Sequence, residues 1–230
     1  NVNALNGVDL SLNKGEVLGL VGDNAAGKST LGKILSGAYR PTSGGIIINN
    51  CEVNFDSPAD AKNNHIEMVY QDLSLCNSID VAGNLFLGRE MHKYIFGLKL
   101  LDKNRMHSSS AKILKDLSIK VPSTKIKVEY LSGGQRQSIA IGKAVSFDPK
   151  VLIMDEPTSA LAVAEVKAVL ELIKTVSFKG VSVIFITHRL QDIFKVCDRV
   201  MVMYEGRKVA DKLINETTLQ DLVELIVSEH

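Results

Sequence analysis

The chain has 230 residues, of which 45% are hydrophobic and 23% charged, and its net charge is +1. That length allows one large domain with a real core. The balanced charge demands neither nucleic acid nor an anionic membrane as a partner, and no run of about 18 apolar residues is present to span a bilayer. Its three cysteines, Cys51, Cys76 and Cys197, are scattered. They form neither a zinc pattern nor a disulfide framework, which fits a reducing cytosol.

Val8, Leu10 and Leu12 alternate with polar residues and predict a half-buried strand. Asn13-Lys14-Gly15 turns the chain into a second, apolar strand over Glu16–Val21. The next stretch, Gly22–Thr30, reads GDNAAGKST, and Leu31–Ser36 behind it predicts a helix that stops at Gly37. Strand, glycine loop and helix is the context that G-x-x-x-x-G-K-[ST] needs as a phosphate-binding loop. Small residues let backbone N–H groups turn inward around an anion, and the helix start adds its positive dipole end. Lys28 then supplies a charge for the β- and γ-phosphates, and Ser29 a hydroxyl for Mg²⁺.

Gly45–Asn50 and Cys51–Phe55 predict a hairpin around Asn49-Asn50, Pro58–Lys62 a short helix, and Ile66–Tyr70 a strand ending at Gln71. From Asp72 to about Ser146 helical periodicity takes over, and a mostly helical subdomain is expected. Met91–Leu101 within it is undecided between an amphipathic contact surface and a packed connector. Leu131–Gln137, LSGGQRQ, opens another helix at an anion-suited start. In isolation that is an ordinary Ser-Gly-Gly turn. Beside a first phosphate site, it suits a nucleotide held mostly by another subunit.

Strand signals return at Val151–Met154, which ends in Asp155-Glu156. In phosphate-loop ATPases an acid here holds Mg²⁺, a role that suits Asp155, while Glu156 faces a different space and suits activation of water. A helix near Val163–Val176, a buried strand over Val181–Thr187, a helix at Leu190–Val196, a hairpin through Glu205-Gly206 and a helix near Leu219–Val227 complete the pattern. His188, after the buried strand, is placed to meet a γ-phosphate or the attacking water. His65, His92, His107 and His230 are left on the surface. Strands alternating with helices predict an α/β fold with a mainly parallel sheet and antiparallel hairpins near its start.

In that order, a phosphate loop, a glutamine at the helical junction, LSGGQ, Asp-Glu and a histidine, the sequence resembles the nucleotide-binding domain of an ABC transporter. Gly22–Thr30, Val69–Asp72, Asn84–Glu90 and Ile153–Thr158 look like the ATPases of monosaccharide importers. The resemblance implies a P-loop NTPase core over residues 1–71 and 147–230, an antiparallel β subdomain and an inserted helical subdomain over residues 72–146. It implies an ATP-hydrolysing import subunit at the cytoplasmic face of the membrane, with ATP and Mg²⁺ as cofactors. Its partners would be a second such domain in a head-to-tail dimer, a membrane permease and, indirectly, a solute-binding protein, with no nucleic acid. ATP would lie between Gly22, Asp23, Asn24, Ala25, Ala26, Gly27, Lys28, Ser29 and Thr30 of one copy and Ser132, Gly133, Gly134 and Gln135 of the other. Catalysis would fall to Glu156, His188, Lys28 and Gln71, and Mg²⁺ to Ser29, Gln71 and Asp155.

Three positions depart from the family pattern. Ala25 stands where glycine is usual, which strains the loop only if φ is positive there. Ala162 replaces a cross-dimer carboxylate, and Gly142-Lys143 replaces Ala-Arg, keeping the charge without bidentate geometry. The aromatic residue that stacks on adenine in the family would fall just before Asn1, so Asn1 is not expected to be a native start. Competing readings are an importer of nucleosides or other small solutes, a nucleic-acid-associated ABC ATPase, and a non-hydrolysing regulatory module.

Overall fold

The structure, a computed structural model, describes residues 3–227. Strand β1 (Val17–Gly22) runs into the glycine loop and helix α1 (Lys28–Leu35), which ends at Gly37 with φ 73°. Strands β2 (Ile46–Ile48) and β3 (Cys51–Val53) form the expected hairpin. Asn49 and Asn50 both take positive φ, 51° and 64°, as a two-residue hairpin turn requires. Helix α2 (Pro58–Asn63) starts with proline at its first position and a reciprocal Ser57–Asp60 capping box. Then come β4 (Ile66–Val69), α3 (Val81–Leu85), β5 (His92–Ile95), β6 (Leu98–Leu101) and α4 (Lys103–Asp116). The remaining elements are α5 (Gly133–Val145), β7 (Val151–Asp155), α6 (Val163–Phe178), β8 (Ser182–Ile186), α7 (Leu190–Val196), β9 (Arg199–Tyr204), β10 (Arg207–Leu213) and α8 (Leu219–Val227).

The main sheet has the order β10-β9-β1-β8-β7-β4, parallel throughout except for β10, which pairs antiparallel with β9. Its central strands are apolar on both faces because both faces are covered. Val17, Val21, Leu152, Met154, Val183, Phe185, Val200 and Val202 point into a cluster with residues of α5, α6, α7 and α8. Leu18, Leu20, Ile153, Ile184, Ile186, Met201 and Met203 point the other way, against α1 and α2. A third cluster, Val81, Leu85, Leu114, Val128, Leu131 and Ile139, lies among α3, α4 and α5. Helix α5 joins the two regions, since Ala140, Ile141 and Ala144 belong to the first cluster.

Three expectations need correction. Val8, Leu10 and Leu12 pack against the second cluster but form no strand. Alternation specifies a buried face, whereas a ladder also needs a neighbour, and none pairs with this stretch among the described residues. Met91–Leu101 is no packed connector. It is the β5–β6 hairpin, exposed along its whole length, inside the stretch expected to be mostly helical. His107 is also not free on the surface: its ring contacts the Thr124 hydroxyl at 3.1 Å and lies 3.7 Å from Asp80. His65 and His92 are exposed, and His230 lies outside the described residues.

Candidate functional site

Between β1 and α1 the backbone folds tightly on itself. A Cβ at Gly22 would sit 2.1 Å from the carbonyl oxygen of Met203 on β9, so only glycine fits there. Gly27 takes φ 92° immediately before α1. Ala25, the departure noted above, takes φ 69°. A left-handed alanine costs about 1–2 kcal/mol, partly offset by the stiffer unfolded chain that alanine gives. Ala25→Gly is therefore expected to stabilise the protein by about 1 kcal/mol, raising Tm by about 2–4 °C in a thermal melt.

Lys28 is buried, and its ammonium donates to the carbonyl oxygens of Gly22 and Asp23 at 2.9 and 2.8 Å. Burial lowers its pKa, against the opposing pull of Glu156, Asp155 and Asp23. A cation held on neutral carbonyls, with no carboxylate in direct contact, is ready to exchange them for phosphate oxygens. Beside it, the Ser29 hydroxyl donates to Asp155 Oδ1 at 3.1 Å. Asp155 ends β7, one strand in from the β4 edge of the sheet, and is 6% exposed.

One residue on, Glu156 takes φ 51°, which turns its side chain away from that of Asp155. Strain of this kind persists where the surroundings over-determine the backbone. Here the Glu156 N–H donates to Ile186 O at 3.0 Å, and the Ser159 hydroxyl donates to Glu156 O at 3.0 Å. The following loop is held by Thr158, whose hydroxyl donates to the fully buried Asp192 carboxylate at 3.0 Å. His188 Nδ1 lies 2.8 Å from Glu156 Oε2. The contact is close but poorly aligned, and Oε2, though buried, accepts no hydrogen bond among the described residues. Glu156 and His188 thus meet as an acid and an imidazole in direct contact.

These groups share one open cleft of about 800 Å³, lined by Asn24, Ala25, Ala26, Gly27, Lys28, Ser29, Thr30, Gln71, Glu156, Ser159 and His188. Four separate segments thus converge on it. Gly22 and Asp23 line a smaller adjoining cleft with His188 and α8. Asp155 stands behind Ser29. The near wall was not legible in the sequence. Asn3, Ala4 and Asn6 meet Glu205 and Gly206 there. Asn6 N–H donates to Gly206 O at 2.7 Å, and Gly206 N–H to Ala26 O at 3.1 Å, so the β9–β10 turn clasps the glycine loop.

Ser132, Gly133, Gly134 and Gln135 do not line this cleft. Ser132 and Gln135 form a capping box at the start of α5. Glu165, on the first turn of α6, ties that start to its own helix. Its carboxylate accepts from Gly134 N–H at 3.1 Å and Ala162 N–H at 3.2 Å. The Ser132 hydroxyl first, then these two amides, hold its pKa below the usual range. A Cβ on Gly134 would lie 2.6 Å from Glu165 Cβ, so the two helices meet only because glycine stands there. Glu165 went unread because its sequence signal, a capping box, normally begins with a side-chain acceptor, and Ala162 has none. Lys143, the other departure, has its pKa lowered by burial and then by Lys62.

Residues 5–159 match the family described as ABC transporter. A xylose/arabinose import ATP-binding protein of Sulfolobus acidocaldarius is 44% identical over 227 residues, covering 99% of this chain and 89% of its own length. A ribose import ATP-binding protein of Caldanaerobacter subterraneus is 39% identical over 99% of this chain, which spans only 45% of that protein. Among solved structures, a nucleotide-free ATP-binding cassette from an ABC transporter superposes with TM-score 0.85 at 26% identity, covering 99% of this chain and 94% of its own. A dimeric cassette bound to ADP and phosphate shares the fold, with TM-score 0.77 at 23% identity over 93% of this chain and 91% of its own.

Proposed function

The chain belongs to the ABC transporter family, and on that premise we propose that it hydrolyses ATP to power sugar uptake through a membrane permease. The observation that carries this reading is the convergence of Lys28, Ser29, Gln71, Glu156 and His188 on one cleft. The triphosphate takes the Lys28 ammonium from the Gly22 and Asp23 carbonyls. The loop amides and the start of α1 receive the rest of its charge. Ser29 and Asp155 offer hard oxygen donors side by side, a donor set that fits Mg²⁺, which keeps most of its waters. Gln71 completes that set at the junction with the helical region. These residues would hold Mg²⁺, which would supply charge neutralisation to the phosphates. Glu156 Oε2 accepts from the attacking water, and His188 orients the γ-phosphate. Little covalent chemistry is asked of the protein. Positioning and charge neutralisation carry the rate.

A second copy, head to tail, brings its Ser132–Gln135 stretch over the nucleotide. Gln71 and the helical region transmit closure to the permease, and the subunit sits peripherally at the cytoplasmic face. No helix among the described residues is long and apolar enough to cross a membrane. Sugar as the solute is supported by the xylose/arabinose and ribose import proteins above. Uptake by vesicles reconstituted with this chain, its permease and its solute-binding protein tests the solute. ATP-driven accumulation of a labelled pentose or hexose is expected. Accumulation of a nucleoside instead contradicts the sugar assignment.

A further inference from the structure

The β5–β6 hairpin has no part in nucleotide chemistry. Its ladder pairs His92 with Leu101, Lys93 with Leu100, Tyr94 with Lys99 and Ile95 with Leu98. The Asp102 N–H closes its base on Met91 O at 2.7 Å. Phe96 and Gly97 turn the tip at φ 49° and 80°. All eight strand residues are exposed, and Phe96 is 100% exposed, Tyr94 72% and Leu98 65%. A two-stranded hairpin uncovered on both faces is marginal in water. A contiguous exposed apolar surface marks an interaction site.

The arrangement along the hairpin identifies what covers it. The tip, Ile95-Phe96-Gly97-Leu98, is wholly apolar. The next rung is Tyr94 opposite Lys99, and the one after it Lys93 opposite Leu100. Strand alternation puts Lys93 with Ile95, Leu98 and Leu100 on one face, and Lys99 with His92, Tyr94 and Leu101 on the other. Neither face is therefore a clean apolar stripe for a protein surface to bury. Only the tip is unbroken apolar surface; behind it each rung is mixed, Tyr94 with Lys99, Lys93 with Leu100 and His92 with Leu101, so the two lysines flank the apolar end on opposite faces while the exposed Leu100 and Leu101 lie further back. That is the order of a water–lipid boundary: apolar end inward, an aromatic ring and snorkelling lysines at the headgroups. No acidic residue lies between Met91 and Leu101 to oppose an anionic surface.

We propose that the β5–β6 hairpin is a lipid-contacting element whose Ile95–Leu98 tip enters an anionic bilayer surface. The proposal stands on the hairpin alone, whatever solute the transporter carries. The chain contains no tryptophan, so Phe96→Trp places a single fluorescent reporter at the tip. That variant is titrated with vesicles of phosphatidylglycerol and phosphatidylcholine, or of phosphatidylcholine alone. A blue shift and co-sedimentation with the anionic vesicles are expected, and Lys93→Ser with Lys99→Ser should weaken partitioning by about thirtyfold. Unchanged emission with both vesicle types, from protein that still binds ATP, overturns the proposal. So does a blue shift that needs the permease in the vesicle whatever the lipid, because the hairpin then docks on protein.

Discussion

Glu156→Gln leaves ATP bound and lowers its steady-state hydrolysis by about 10²–10⁴-fold, the usual contribution of a positioned general base. The substitution preserves the size and branching of the side chain, so the tight turn at φ 51° and its bond to Ile186 O survive. What it removes is a negatively charged proton acceptor that stands 2.8 Å from His188 Nδ1. An amide nitrogen or oxygen in its place takes no proton from water. Binding is expected to be spared, because the proposed phosphate contacts belong to Lys28 and the loop amides. Phosphate release and equilibrium ATP binding, measured on wild type and variant with the permease present, check both halves. A wild type that hydrolyses no faster than the variant returns the chain to the non-hydrolysing module.

Lys28→Ala acts one step earlier and weakens ATP binding by about thirtyfold or more. The ammonium is buried, so its contact with a triphosphate is a desolvated charge pair, and truncating one partner of such a pair costs about 2–5 kcal/mol. The fold is expected to hold, because the hydrogen bonds Lys28 makes among the described residues go to two carbonyls of its own loop. The glycine geometry at Gly22 and Gly27 is unaffected. Titration with a fluorescent ATP analogue reads the loss directly. Undiminished affinity removes the triphosphate from this loop.

The parts of the fold that were readable beforehand share a physical cause. Strands β1, β7 and β8 are buried on both faces and read as continuous apolar runs, and Asn49-Asn50 names its own turn. Asp155, Glu156 and His188 could be located because each lies at or just beyond the end of such a strand, and Lys28 and Ser29 because the glycine loop that follows β1 carries its own spacing. The hairpin at Met91–Leu101 was ambiguous because both its faces meet solvent, so no periodicity was imposed on it. Residues 8–12 carried the pattern of a strand without a partner to pair with. The wall made by Asn3, Asn6, Glu205 and Gly206 is assembled by backbone contacts across the whole chain, which side-chain identity does not encode. Glu165 was hidden because Ala162 gives its capping box no side-chain acceptor and because its link to Gly134 depends on how closely α5 and α6 approach.

The central claim is that each triphosphate is shared between the Lys28 loop of one copy and the Ser132–Gln135 turn of another. Mixing two inactive chains tests it. Lys28→Ala damages the first half alone. Gly133→Asp damages the second, placing a negative charge where the neighbour's phosphate would rest. A Cβ there meets the flexible Leu161 Cδ2 at 3.3 Å and Glu165 Oε2 at 3.7 Å, so the new carboxylate also faces Glu165, and a thermal melt together with ATP binding at the intact Lys28 loop checks that the variant is folded before mixing. Each variant alone, with the permease, should hydrolyse ATP at background. The mixture should recover a substantial part of the wild-type rate, because a mixed pair holds one site with both halves intact. A mixture as inactive as its components, although mixed pairs form, would contradict the shared site, as would a Gly133→Asp chain that is fully active by itself.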